Sequence, residues 1–264
     1  MQSPLDLDAA HLDRLLKAFQ AARSRLILLD YDGTLKPFYD RPEDAFPDPE
    51  LLELIRALAG QPRTDLAVVT GRGRENMRAW LGNEPVSLST EHGLWIRWMG
   101  DTDWSHMLPA GIQADVLTPA RLLLEDFVRD TPGSRLETKD SSLAWHYRQC
   151  DSNLLPGRPR AVMEALGQLQ KSEGLPLDIL DGKMVIEARI QGVHKGNVVE
   201  FLAGRERSYD FHLAMGDDAT DENMFTALPG NAFTIKVGEG SSAARLRTEN
   251  VESSRSLLRA LSGM

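Results

Sequence analysis

Residues 26–30, LILLD, run four apolar side chains directly into a carboxylate, and Asp32 follows before Gly33 and Thr34 turn the chain. A short apolar run without polar alternation, bounded by turn formers, is the pattern of a strand covered on both faces of a parallel sheet. DLAVVT (65–70) and FHLAMGDD (211–218) repeat it, each running apolar residues into polar ones. Segments with helical spacing accompany these runs at 9–23, at 48–60, where Asp48 is placed as N-cap with Pro49 in the first turn, and at 71–82. PVSLSTEHG and LWIRWMG read as further strands. The alternation predicts an α/β fold with a Rossmann-like parallel-sheet core.

The middle of the chain has another rhythm. Helices are expected at 118–130 and 157–172, and a hairpin over 134–149 that turns near Asp140–Ser141. A second hairpin, from LPLDIL and KMVIEARI, is expected to turn at Asp181–Gly182, a strong turn dipeptide. This is an α+β unit with its own small sheet, inserted at 107–190 into a core formed by 1–106 and 191–264. The core resumes with a helix in HKGNVVEFLAGR, strands in FHLAMGDD and NAFTIKVG, and a closing helix at 252–262.

A net charge of −9 argues against nonspecific nucleic-acid binding and against docking on anionic membranes, both of which need a basic face. It leaves room for a small anionic substrate in a local basic pocket. The single cysteine, Cys150, allows no intrachain disulfide and suits a reducing compartment. The beginning, MQSPLDLDAAHLDRLL, lacks the basic and apolar regions of a secretory signal, and no apolar run is long enough for a membrane span. A cytoplasmic location is therefore expected.

Half-buried carboxylates need a cation, a proton or a chemical task. In parallel α/β sheets ligands bind beyond the carboxyl ends of the strands. Asp30, Thr70, Asp217 and Asp218 each follow such a strand, and Lys195 opens a helix. If the strands are neighbours, these groups converge. Oxygens from Asp30, Asp32 and Asp217 suit Mg²⁺, a hard cation that favours oxygen ligands. A hydroxyl (Thr70) and an ammonium (Lys195) beside them suit a phosphoryl group. An aspartate can then serve as nucleophile, and an acid two residues on lies on the same side of an extended chain, placed to trade a proton. Each residue also has a plainer role. An Asp after a strand can be a turn former, and Thr70 can be a helix N-cap. Glu137, Lys139 and Arg148 can form a surface cross-strand ladder, and Trp95, Trp98, Trp104 and Trp145 can be core. His146, between Trp145 and Tyr147, is expected to face away from Glu137 and Lys139, and His194 is given no role.

DYDGT, VVTGR, the lysine of HKG and GDDATDE, in that order, resemble the four motifs of the haloacid dehalogenase-like phosphatase superfamily, and the insert between the second and third resembles its C2-type caps. More narrowly, LLDYDGTLKPF, LSTEHGLWIR, ETKDSSLAWHYR, VIEAR, GVHKG, GDDATDENMF and IKVG resemble the trehalose-6-phosphate phosphatase family. The resemblance implies Mg²⁺-dependent hydrolysis of a sugar phosphate through an aspartyl-phosphate. Trehalose 6-phosphate is the expected substrate; sucrose 6-phosphate, mannosyl-3-phosphoglycerate and a catalytically silent sensor are the alternatives. It implies Asp30 as nucleophile, and Asp32 as proton carrier with its backbone carbonyl on the metal. Asp217 is implied as a metal ligand, and Thr70 and Lys195 as phosphoryl-binding groups. Gly71 and Arg72 join Thr70 in contacting substrate. Asp218 and Asp221 would hold the metal's waters or Lys195. Glu137, Lys139, Arg148 and Glu187 would bind the sugar. Association with a trehalose-phosphate synthase is a further implied partnership.

Overall fold

A computed structural model describes residues 3–39, 41–113, 115–182, 184–205 and 207–264. It divides into two compact units, one of residues 1–107 and 194–264, the other of 108–193.

The first unit is built on a nine-stranded sheet. Its strands are β1 (Leu5–Asp6), β2 (Arg25–Leu29), β3 (Thr64–Val69), β4 (Ser87–Thr90), β5 (Trp95–Arg97) and β6 (Ser105–His106), with β11 (Phe211–Gly216), β12 (Phe233–Val237) and β13 (Leu246–Thr248) from its second segment. The spatial order is β1-β13-β12-β11-β2-β3-β4-β5-β6. Every pairing from β1 through β4 is parallel, and only the β5 and β6 edge runs antiparallel. The helices are α1 (Ala9–Ala21), α2 (Pro49–Ala59), α3 (Arg74–Leu81), α6 (Asn197–Ala203), α7 (Glu222–Ala227) and α8 (Val251–Ser262). Asp48 caps α2 as the sequence predicts, its Oδ1 accepting the Leu51 N–H at 2.8 Å.

The apolar run of β2 explains the layering. Ile27 and Leu29 pack into a cluster with Leu15, Leu51, Leu54, Ile55 and Leu258, from α1, α2 and α8. Leu26 and Leu28 pack on the opposite face with Val198, Leu202, Met224 and Phe225, from α6 and α7. Successive side chains of a strand point to opposite faces, so Leu26–Leu29, covered on both sides, are apolar without alternation. Each such side chain contributes about 1.5–3 kcal/mol on burial. Burying all of β2 fixes its place between β11 and β3, and its register puts Leu29 opposite Met215 on one side and Val68 on the other.

The second unit carries a four-stranded antiparallel sheet in the order β7-β8-β10-β9, with β7 (Arg135–Thr138), β8 (Ser142–His146), β9 (Leu177–Gly182) and β10 (Val185–Ile190). Helix α4 (Thr118–Arg129) packs on β7 and β8, and α5 (Arg158–Glu173) on β9 and β10. β10 alternates half-buried and buried residues along its length, with Ile186, Ala188 and Ile190 buried. The opposite set on that strand is Val185, Glu187 and Arg189.

One turn falls later than the sequence suggests. Gly182 pairs with Val185 and Asp181 with Ile186, so Asp181 and Gly182 are the last residues of β9 and the reversal follows them, with Met184 at a φ of 64°. Extending the strand gains ladder hydrogen bonds, which outweighs the local turn preference of Asp-Gly. Lys183, with which the expected second strand of this hairpin opens, lies outside the described residues.

Trp145 is fully buried in this unit, stacked on Tyr147 at 4.9 Å and edge-on to Phe127 of α4 at 6.5 Å. Trp145→Ala is expected to cost about 3–5 kcal/mol, as for other large aromatic truncations. Chemical denaturation followed by the unfolding of the second unit measures it, and a cost below about 1 kcal/mol, the range of surface changes, contradicts the packing described.

Candidate active site

The parallel register brings the ends of β11, β2 and β3 side by side. Asp30 follows β2 and donates its backbone N–H to the Met215 carbonyl of β11 at 2.9 Å. Thr70 follows β3, and Asp217 follows β11. Asp30, Thr70 and Lys195 are all at least 97 % excluded from solvent, so whatever charge they carry is balanced locally.

Lys195 supplies that balance. Its Nζ donates to Asp30 Oδ1 at 2.7 Å and to Asp221 Oδ1 at 2.8 Å. The other oxygen of Asp221 accepts the backbone N–H groups of Asp217 and Asp218, both at 3.0 Å. One carboxylate thus holds both the ammonium and the turn that presents Asp217. Gly216 permits this, because a Cβ there would overlap the Asp221 side chain. Gly33 permits the approach from the other side: its φ is +75° and a Cβ would overlap the Asp217 carboxylate.

Carboxylate oxygens of Asp30, Asp217 and Asp221 lie within 4.8 Å of one another. Burial pushes the Asp30 carboxyl up to about 8 against the pull of Lys195, and the charges of Asp218 and Asp217 push the same way as burial. Burial and the neighbouring Asp218 likewise bring Asp217 up to about 6, and Asp221 lies well above the ordinary carboxylate range, chiefly from burial. Asp218 is lowered: its burial is outweighed by Lys195 and by hydrogen bonds from Thr220 and Asp221. The cluster holds more acid than one lysine can neutralise. A divalent cation that accepts oxygen ligands fits such a donor set.

Asp32 is placed differently from its neighbours. Its carboxylate is held by the Arg72 side chain, with Nε at 2.7 Å from one oxygen and Nη2 at 2.6 Å from the other. Thr70 is not a helix N-cap. Helix α3 begins at Arg74 with Gly73 as its cap residue, later than the expected start at 71, and Thr70 Oγ1 accepts the Arg72 N–H at 3.2 Å. Gly71 lies against the His92 ring, which a Cβ at 71 would overlap. His92 and Glu91 are both non-glycine residues at positive φ, 57° and 50°, in the turn after β4.

Sequence reasoning missed Lys236. Its ammonium donates to the backbone carbonyl of Asp217 although the residue is 7 % exposed on β12. The available signal was a lysine inside an otherwise apolar strand, in FTIKV.

In the second unit Glu137 faces Ala144 across β7 and β8, and Glu187 faces the same Ala144 across β8 and β10, so both acids share one face of the sheet. Lys139 Nζ lies 3.3 Å from Glu137 Oε1. His146 corrects the sequence expectation: it does not face away, because its Nε2 lies 2.9 Å from Glu137 Oε2. The reason is parity. His146 pairs with Arg135, two residues from Glu137, and side chains two apart share a face. Arg148 lies exposed in the turn after β8. The tryptophans divide: Trp98 and Trp145 are buried core, whereas Trp95 stacks on His106 and carries the Arg74 guanidinium over its ring.

A model of the family described as trehalose-phosphatase matches residues 28–256. The chain belongs to the trehalose-phosphatase family. This family member is 40 % identical over 256 residues to a bifunctional trehalose-6-phosphate synthase/phosphatase of Thermoproteus tenax, covering 97 % of this chain and 34 % of the relative. It is 36 % identical over 260 residues to an α,α-trehalose-phosphate synthase (UDP-forming) B of Dictyostelium discoideum, covering 96 % of this chain and 32 % of the relative. The chain therefore spans about a third of the length of these curated relatives. Among solved structures, the C-terminal domain of a trehalose-6-phosphate phosphatase from C. albicans superposes with a TM-score of 0.83 at 27 % identity, covering 99 % of this chain and 98 % of that one. The fold is thus the haloacid dehalogenase-like one expected for a trehalose-phosphatase family member. Among the described residues, no helix is long and apolar enough to cross a membrane.

The hydrogen bond from His146, aided by Lys139, outweighs burial and holds the Glu137 carboxyl down at about 2. A carboxyl lowered in the folded state stabilises that state above its unfolded pKa and loses the contribution as pH falls through the folded one. The second unit should therefore lose stability between about pH 4.5 and 2 through this group. Thermal melts across that window are expected to fall more steeply for the unmodified protein than for Glu137→Gln; parallel slopes would contradict the pairing.

Proposed function

We propose that this chain is a Mg²⁺-dependent phosphatase that converts trehalose 6-phosphate to trehalose and phosphate through an aspartyl-phosphate on Asp30. The observation that carries the proposal is the buried Lys195 ammonium joined to both Asp30 and Asp221, beside Thr70 at the ends of neighbouring parallel strands. The family membership supports the same chemistry.

Asp30 attacks phosphorus in line with the bond to the sugar oxygen. That bond breaks, Asp32 gives a proton to the leaving oxygen, and the phosphoryl group is carried on Asp30. Asp32, now a carboxylate, takes a proton from a water that attacks the aspartyl-phosphate; inorganic phosphate leaves and both aspartates return to their starting forms. Lys195 neutralises charge on the transferring oxygens without reorganising, since Asp30 and Asp221 already hold it in place. The Thr70 oxygen accepts the Arg72 N–H, which leaves its own proton to donate to a phosphoryl oxygen. Asp30, Asp217 and the main-chain carbonyl of Asp32 would hold Mg²⁺, with Asp218 and Asp221 as supporting groups. When bound, the ion supplies charge that offsets the phosphoryl oxygens and keeps Asp30 ionised. The charged row of the second unit, with Glu137, Lys139, Arg148 and Glu187, recognises the sugar. A cytoplasmic location and association with a synthase complete the reading; the relatives' names, which join synthase and phosphatase, support the latter.

Asp30→Asn is expected to lower turnover of trehalose 6-phosphate by a factor on the order of 10⁴ or more, as loss of a nucleophile does elsewhere. Phosphate release measures it, and circular dichroism checks that the variant is folded. Retained turnover would end the nucleophile assignment. Chelation with EDTA is expected to abolish phosphate release and added Mg²⁺ to restore it. Full activity after exhaustive chelation removes the ion from the mechanism.

A further inference from the structure

The family resemblance groups Arg72 with the residues that contact substrate, but its side chain is engaged elsewhere. Nε and Nη2 grip the two oxygens of Asp32 at 2.7 and 2.6 Å, and Nη1 donates to the Pro42 carbonyl at 2.7 Å. The guanidinium carbon stands 4.7 Å from the centre of the Trp80 ring and 5.7 Å from that of Tyr31. The side chain is only 13 % exposed. With the Nε and Nη2 fork on Asp32, Nη1 on Pro42 and an aromatic ring against its face, three of the five N–H groups are engaged and the bidentate fork is not free for a phosphate. Asp32 stands apart correspondingly: the acid cluster at the strand ends comprises Asp30, Asp217 and Asp221.

We propose that Arg72 is a positioning residue that sets the orientation of the Asp32 carboxylate for proton transfer. The inference rests on Asp32 being the proton carrier of the reaction above. In the first half of that reaction phosphorus bonds to an Asp30 oxygen, the bond to the sugar oxygen breaks, and the proton of Asp32 passes to that oxygen. In the second half Asp32 takes the proton of the attacking water as the bond between Asp30 and phosphorus opens. A bidentate fork fixes the plane of the carboxylate, so each oxygen keeps a lone pair in a set direction when Asp32 is the base. The stacked Trp80 ring and the Pro42 carbonyl hold the fork itself, so removing Arg72 frees Asp32 to rotate without removing it.

The test compares leaving groups. A sugar alkoxide needs a proton to depart, whereas p-nitrophenolate does not. Arg72→Ala is expected to lower kcat on trehalose 6-phosphate by about 10²-fold, in the range for loss of general acid–base assistance, with KM within about threefold. On p-nitrophenyl phosphate the single-turnover release of p-nitrophenolate, which reports only the half of the reaction that needs no proton from Asp32, should fall by less than about tenfold, and added guanidinium ion should restore part of the lost rate on the sugar phosphate. Arg72→Lys, which keeps the charge and loses the fork, should show the same split; it decides the matter with the same two substrates if the alanine variant does not fold. A rise in KM on both substrates would return Arg72 to phosphate binding. Equal losses in single-turnover leaving-group release from both substrates, without rescue, would make it only a brace for the chain at Pro42. Either result overturns the proposal. Failure of the unmodified protein on trehalose 6-phosphate would overturn the substrate assignment instead, and the comparison would then use whichever sugar phosphate it hydrolyses.

Discussion

The buried contact between Lys195 and Asp30 is the interaction on which the site depends. An ammonium and a carboxylate taken out of water lose several kcal/mol each in hydration, and only close approach and further hydrogen bonds compensate. Here both partners are almost wholly buried, and the compensation is shared with Asp221, which in turn ties down the backbone of Asp217 and Asp218. Removing Lys195 leaves buried acids without their cation, and removing either acid takes away one of the ammonium's two partners. The glycines at 33 and 216 follow from the same crowding, since each stands where the acids leave no room for a side chain.

The arrangement also explains why the acids are tolerated. The sheet supplies rigid positions at the ends of β11, β2 and β3, and the apolar faces of those strands contribute the stability that the acid cluster costs. Local destabilisation at a functional site, carried by a well-packed scaffold, is a common pattern. In the second unit the scheme is milder. Glu137 is partnered by a histidine and a lysine on a half-open sheet face, so its charge is held by neighbours that solvent also reaches.

Much of this could be read from the amino-acid order, and the exceptions have physical causes. LILLD, DLAVVT and FHLAMGDD reveal their strands because their apolar residues, covered on both faces, run on without polar alternation. Asp48 shows as a cap because capping is local. His146 faces Glu137 because of the register between β7 and β8, which pairing across the hairpin sets and the local pattern of residues 141–149 does not show. The grip of Arg72 on Asp32 joins residues forty positions apart and has no local signature. Lys236 is intermediate, since its partner is a backbone carbonyl on another loop, but a lysine in an apolar strand marks it as unusual. The Asp181–Gly182 turn failed because pairing with β10 outweighed a dipeptide preference.

The position of β2 in the sheet bears on synthesis of the chain. Its partner on one side, β3, follows soon after it, but its partner on the other, β11, begins at Phe211, beyond the whole second unit. A growing chain must therefore carry the open edge of this apolar strand, with unpaired backbone N–H and C=O groups, until the residues through β11 have been made. Such an edge is a template for pairing with other chains. The strand that anchors Asp30 in the finished molecule is thus open to misassembly for as long as the residues between β3 and β11 are still being made.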